Sequence, residues 1–326
     1  MSPVLASTRA ELADLLAPRR ALGQRVGLVC TMGAMHEGHA SLMRRSRQEI
    51  GDDAPLVVSL FVNPLQFGPG EDLDRYPRTF EADVALCEAE GVDVLFAPSV
   101  DEVYPGGTPQ VTVDPGPLAT ILEGRTRPGH FAGVLTVVAK LFGLVRPDVT
   151  VFGEKDYQQL ALVRRMAADL CLGVEVLGAP TVREPDGLAL SSRNRYLDTE
   201  QRRQAATLSR TLRVVRAAAV SGVPTALAAA HAELRRSPGV DLDYVVVRAP
   251  DLSELPADVP PGTEARALIA AKIGRTRLID NLALTVGSVA DVGMVPDVSA
   301  PLGRGNGPER QGLPEADLAG GTSLAP

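Results

Sequence analysis

An α/β fold, a parallel sheet domain followed by a smaller α+β C-terminal domain, is what this sequence predicts, and three observations carry that prediction. Short apolar runs suited to buried strands recur at residues 25–30, 55–62, 92–96 and 149–152. Segments of helical period, such as 79–90 and 131–145, lie between them, and that alternation is the signature of parallel strands covered on both faces. Two of the strands run straight into polar turns that open helices, and in such sheets ligands bind beyond the carboxyl ends of the strands.

The first segment, MSPVLASTRAELADLL, carries no basic stretch ahead of a long apolar run, and Glu11 and Asp14 interrupt it early, so it does not read as a signal peptide. Residues 25–30 (RVGLVC) form the first buried strand, and residues 40–50 continue at helical spacing. Between them stands Thr31-Met32-Gly33-Ala34-Met35-His36-Glu37-Gly38-His39, which puts two imidazoles three residues apart at a helix start. Unpaired N–H groups and the positive end of the helix dipole favour an anion there, and His36 and His39 share one face beside it. Two metal ligands, or a cap, would use the same residue types. Zinc would need more partners, however, and the other histidines are only His130 and His231, while Cys30, Cys87 and Cys171 are scattered without CxxC spacing.

Further along, residues 61–67 (FVNPLQF) end the second strand in a polar loop, and the acidic, Pro-rich connector at 68–83 carries carboxylates able to approach a magnesium ion. Residues 123–131 (EGRTRPGHF) add Arg125, Arg127 and His130 on a loop. The strand at 149–152 leads into Gly153-Glu154-Lys155-Asp156-Tyr157-Gln158-Gln159, where Lys155 is a mobile charge suited to phosphate and Asp156 can orient it or a ribose hydroxyl. A surface charge run would look the same in isolation. Gln66 and Gln159 each offer donors and an acceptor, enough to hold a small hydroxy acid without adding charge, though capping amides on loops fit equally well. Beyond residue 183 the pattern changes. The loop Leu190-Ser191-Ser192-Arg193 pairs two hydroxyls with a guanidinium, a polyphosphate clamp or an ordinary polar turn, and helices at 199–220 and 225–236 precede strands at 243–248 and 265–273. From 287 onward Gly, Pro, Ala and Asp dominate without periodicity, as expected of a disordered tail. The organisation expected is therefore 1–183, 184–286 and a tail at 287–326.

Composition sets limits on function. The 326 residues carry a net charge of −7, so no broad basic field exists to hold nucleic acid or an anionic membrane, and an anionic substrate must be met by local cations. The most apolar internal stretches, 56–62 and 134–145, are too short to cross a bilayer. Three scattered cysteines fit a reducing compartment, so a cytoplasmic protein is expected.

Taken together, TMGAMHEGH, FVNPLQF, TRPGHFAGVLTVV, FGEKDYQQL and LSSRNRYL, in this order and spacing, resemble the pantoate–β-alanine ligase family over roughly residues 22–285. The HxGH element alone would point only to the wider nucleotidyltransferase superfamily. The resemblance implies a Rossmann-like ATP-binding domain, a smaller C-terminal domain closing over it, a homodimer, and a two-step reaction. Pantoate would be adenylated by ATP, with magnesium accompanying the nucleotide, and β-alanine would then displace AMP. It further implies that Met32, Gly33, Ala34, Met35, His36, Glu37, Gly38 and His39 bind ATP, with His39 the proton donor and His36 assisting at the phosphates. Gly153, Glu154, Lys155, Asp156, Val182, Leu190, Ser191, Ser192 and Arg193 would complete the ATP site, and Lys155 and Arg193 would join the histidines in catalysis. Gln66 and Gln159 would bind pantoate, Gln66 also lying near β-alanine. The sequence departs from the family at Cys30, usually Pro, at Met35, commonly Leu, and at Leu190, commonly Met. A nucleotidyltransferase that leaves the nucleotide on its product, and a nucleotide-binding protein without catalysis, are the competing readings.

Overall fold

The computed structural model describes residues 2–68, 73–256 and 258–287, so the tail expected at 287–326 lies, beyond Gly287, outside the described residues. Its first half runs β1 (Val4–Ala6), α1 (Arg9–Ala21), β2 (Gly27–Thr31), α2 (Glu37–Ile50), β3 (Leu56–Leu60), α3 (Phe80–Ala89) and β4 (Val94–Phe96). Then follow α4 (Val100–Val103), α5 (Leu122–Thr126), α6 (His130–Val145), β5 (Val149–Gly153), α7 (Tyr157–Asp169) and β6 (Glu175–Ala179). These six strands form one sheet in the order β1-β4-β3-β2-β5-β6, every pair parallel. The alternating pattern predicted that sheet, and it is what the chain forms.

The topology fixes where a ligand belongs. After β2 the chain moves outward through β3 and β4, whereas β5 returns to the other side of β2. The order reverses between β2 and β5, and the turns leaving these two strands face a common crevice at that switch point. β2 and β3 are buried along nearly their whole length, with Leu28, Val29, Val57 and Val58 at 0% exposure, which holds the floor of the crevice rigid. The largest apolar cluster joins Leu12 and Leu16 of α1 to the apolar face of α6 and to Leu160 and Val163 of α7.

The second half holds α8 (Thr199–Ala218), α9 (Val223–Arg235) and an antiparallel sheet of β7 (Val240–Arg248), β8 (Thr263–Ile273) and β9 (Thr276–Val286). Asp198 caps α8 through a reciprocal capping box with Gln201. Leu208, Leu212 and Val215 of α8 pack on Ala267, Ile269 and Ala271 of β8, forming a separate core. Both sheets belong to one compact unit, Met1–Val292. Among the described residues no helix is long and apolar enough to cross a membrane.

Candidate active site

The β2–α2 turn is built around a buried carboxylate. Gly33 and Ala34 both have positive φ, +83° and +49°, a conformation costing an alanine roughly 1–2 kcal/mol. Asp83 of α3, only 2% exposed, offsets that cost by accepting the Ala34 N–H at 3.1 Å and the Met35 N–H at 2.7 Å. Both peptide groups are thereby committed to the scaffold. The Asp83 carboxylate lies too far along the chain for any motif to reveal it.

The two histidines cap α2 with their rings. His36 Nδ1 accepts the Gly38 N–H at 3.1 Å, and His39 Nδ1 accepts the His36 N–H at 3.2 Å. An acceptor Nδ1 places the proton on Nε2, so each neutral ring presents an Nε2–H donor. Burial, joined by the charge of His36, pushes His39 down to about 3. Burial, with Lys155 and Arg195 nearby, likewise lowers His36. Both rings are therefore neutral near pH 7, and their centroids lie 4.4 Å apart.

On the other side of the switch point, β5 ends in a 3-10 turn, Glu154–Asp156. Protein crowded around Asp156 raises its carboxyl, although one side opens to the crevice, but the cations Lys155, Arg193 and Arg127 outweigh this and hold it below the usual carboxylate range. Asp156 is thus an ionised group among cations. A small hairpin supplies the third wall: Leu190 N–H donates to Val182 O at 2.9 Å and Glu184 N–H to Leu188 O at 2.8 Å. Its end carries Ser191, whose Oγ accepts the Arg193 N–H at 3.3 Å.

The loop after β3 brings in the glutamines' neighbourhood. Asn63, 1% exposed, accepts from the Tyr104 hydroxyl at 2.8 Å and donates to Gly133 O at 3.1 Å and Gln66 Oε1 at 3.3 Å. Gln66 Nε2 points at Met32 Sδ, 2.8 Å away. The Arg127 guanidinium donates to His130 Nε2 at 2.9 Å, which leaves His130 Nδ1–H to donate to Gln66 O at 2.9 Å.

All of this encloses a cavity of about 280 Å³ lined by Met32, His36, Gly38, His39, Gln66, Gly153, Lys155, Asp156, Gln159, Val182, Leu190, Ser191, Ser192 and Arg193. Five of the expected residues do not line it. Gly33, Ala34 and Met35 form the turn behind the histidines, Glu37 pairs outward with Arg44 at 2.8 Å, and Glu154 pairs with Arg266 at 3.2 Å. Tyr76, Asn63, Arg127 and His130 line it as well. Arg127 and His130 stood in the sequence as loop residues without an assigned role, and Asn63 signalled itself only as a neighbour of Gln66. Of the three departures, Cys30 and Leu190 line the cavity and Met35 packs behind it. Burial pushes the Cys30 thiol up to about 12, so it contributes a small neutral wall.

Comparison with known proteins follows the same outline. The family model described as pantoate-beta-alanine ligase matches residues 4–283. The chain belongs to the pantoate-beta-alanine ligase family. A pantothenate synthetase of Nocardioides sp. is 68% identical over 90% of this chain and 88% of its own length, and one of Mycolicibacterium smegmatis is 55% identical over 88% and 90%. A crystal structure of pantothenate synthetase from Thermus thermophilus superposes with a TM-score of 0.78 at 50% identity, covering 85% of this chain and 98% of that one. A pantoate-beta-alanine ligase from Francisella tularensis, solved with beta-gamma ATP and beta-alanine, gives a TM-score of 0.68 at 33% identity over 86% and 97%. As a pantoate-beta-alanine ligase the chain is an enzyme, a ligase joining pantoate and β-alanine through a C–N bond.

Proposed function

We propose that this chain condenses (R)-pantoate with β-alanine to pantothenate, consuming ATP and passing through a pantoyl adenylate, and that the cavity at the β2–β5 switch point is where both steps occur. The observation that carries the reading is the convergence of three cationic or donor-rich turns, His36–His39, Lys155–Asp156 and Ser191–Arg193, around one crevice that also holds two amide side chains. The Francisella tularensis relative, solved with beta-gamma ATP and beta-alanine, supports it.

In the first step a carboxylate oxygen of pantoate attacks the α-phosphorus of ATP. The new P–O bond forms as the bridge to the β-phosphate breaks, and pyrophosphate leaves with the electron pair. Negative charge gathers on the phosphates, and the preorganised donors and cations that line the crevice stabilise it. In our assignment His39 fills the donor role through its Nε2–H, which hydrogen-bonds to a phosphoryl oxygen, with His36 beside it. Lys155 and Arg193 balance charge, and Ser191 and Ser192 add donors. Met32, Gly38, Gly153, Leu190 and Val182 form the nucleotide's walls, while Gly33, Ala34, Met35, Glu37 and Glu154 support the ATP segments from behind. Gln66 and Gln159 hold pantoate; the Gln159 side chain makes no hydrogen bond among the described residues, so its amide is uncommitted.

In the second step the amine of β-alanine attacks the acyl carbon near Gln66. The C–N bond forms, the acyl C–O bond breaks, AMP leaves and the amine loses a proton. The adenylate is a mixed anhydride that water would destroy, so we assign residues 184–286 as a smaller domain that closes over 1–183 and excludes water. Magnesium is expected to arrive with ATP. No group of three or more His, Cys, Asp or Glu side chains suited to a metal exists among the described residues, so the fit rests on the phosphates and on the ionised Asp156. Bound there, magnesium would neutralise phosphate charge. Glu71 and Asp72 of the acidic connector lie outside the described residues. We extend the reading to a cytoplasmic homodimer; the three free cysteines suit that compartment, and light scattering measures the assembly.

Incubating the protein with ATP, magnesium, pantoate and β-alanine is expected to yield AMP and pantothenate in equal amounts. A stable nucleotidyl product without free AMP, seen by mass spectrometry, would overturn the reading in favour of a nucleotidyltransferase.

A further inference from the structure

Lys155 is one of two strong cations assigned to the phosphates, and nothing in its own turn fixes its direction: the 3-10 segment Glu154–Asp156 has no side-chain cap. The support comes from the other sheet. Asn281 of β9 is 3% exposed, and its amide Nδ2 donates to Glu154 O at 2.8 Å and to Lys155 O at 2.9 Å. An amide nitrogen has two hydrogens, and both go to consecutive peptide carbonyls of the phosphate turn. Two fixed peptide planes flank one Cα, so the direction in which the Lys155 Cα–Cβ bond leaves the turn is set.

Asn281 is itself over-determined. Its Oδ1 accepts from Arg266 Nη1 at 2.5 Å, and Arg266 reaches the Glu154 carboxylate at 3.2 Å while lying 3.7 Å over the Tyr157 ring. Asp280 beside it accepts two bonds from Arg183, at 2.7 and 2.9 Å, and Arg183 also donates to Asn281 O at 3.2 Å. Arg183 belongs to the hairpin that carries Ser191 and Arg193. One two-residue stretch of β9 thus touches the backbone of one phosphate turn and the base of the other. The pattern is unusual for a strand interior, where a buried Asn would ordinarily be an apolar residue.

We propose that Asn281 is a positioning residue for adenylation, aiming Lys155 at the phosphates by holding the carbonyls of Glu154 and Lys155. The inference rests on the adenylating function proposed above.

The test is pantoate-dependent exchange of pyrophosphate into ATP by the full chain, comparing wild type with N281A, N281D, K155A and the two doubles, N281A/K155A and N281D/K155A. N281D keeps the side-chain shape but sets a carboxylate oxygen against the same two carbonyls, with Arg266 beside it to offset the charge, so it breaks both hydrogen bonds without leaving the cavity that N281A creates. The expected loss is about 10-fold in the exchange kcat for either Asn281 single, with KM for ATP changed less, since a misaimed catalytic group costs rate rather than ground-state binding. If Asn281 acts through Lys155, either double exchanges as slowly as K155A alone. Losses that multiply in the doubles, or singles that exchange at the wild-type rate while only melting earlier, would overturn the proposal. Absence of exchange in wild type would overturn the adenylating function itself, a distinct outcome.

Discussion

At the scale of single residues, the two histidines combine structure with chemistry. Replacing His39 with Asn keeps an acceptor near the Nδ1 position for the His36 N–H but removes the Nε2–H donor. H39N is therefore expected to fold normally and to lose about 10²–10⁴-fold in pantoate-dependent pyrophosphate exchange. The same histidine makes stability depend on pH. Its native value of about 3 lies below the ordinary 6.5, so the unfolded chain takes up a proton first as pH falls between those limits. Its contribution is complete above pH 6.5 and is lost toward pH 3, and urea midpoints of H39N across that window should fall less steeply than those of wild type. Asp83 gives a purely structural contrast: D83A strands the buried Ala34 and Met35 N–H groups, and urea unfolding should record a loss of about 1–3 kcal/mol. The HxGH segment could be read from sequence because its residue types and spacing are local. Asp83 could not, because an acidic residue in a helix is normally solvated, and only the fold brings it under the turn.

At the scale of elements, α6 and the loop after β3 meet at a glycine. A Cβ at Gly133 would collide with the Leu65 carbonyl and crowd the Gln66 N–H, so the loop that carries Gln66 sits where it does because residue 133 lacks a side chain. G133A must push that loop away, which should cost about 1–3 kcal/mol of stability and raise KM for pantoate more than KM for ATP in steady-state assays. Strands β2, β3 and β5 and helices α2, α6 and α7 were legible because their apolar periodicity is strong. β1 and β6 were not, since each is a short edge strand; Val4 and Leu5 of β1 are about half exposed, and β6 carries Gly178 near its middle. β9 was hidden for another reason. Asp280 and Asn281 interrupt its apolar pattern with buried polar groups, and those groups contact the Glu154–Asp156 turn and Arg183 of the hairpin.

At the scale of the whole molecule, the second sheet is tied to α5 of the first half by charge as well as by apolar packing. Arg277 of β9 makes paired bonds to Glu123 at 2.6 and 2.7 Å and another to Asp243 at 2.7 Å, while the Tyr244 hydroxyl donates to Glu123 at 2.8 Å. R277M leaves Glu123 with one partner fewer in a half-buried setting, and thermal unfolding should show a loss of roughly 3 kcal/mol, the lower end of the range for breaking a buried pair. The order of the parallel sheet, rather than any one motif, explains why segments more than a hundred residues apart line one cavity: the strand order reverses between β2 and β5, and the polar turns that follow both strands open there. The sequence indicated the strands and their polar ends, but the strand order, and hence the shared crevice, came only with the fold. The central claim is that this crevice activates a carboxylate by adenylation. It is tested most directly by exchange of labelled pyrophosphate into ATP, with magnesium, with and without pantoate and before β-alanine is added. Exchange that requires pantoate is the predicted result; ATP binding without pantoate-dependent exchange would contradict the account.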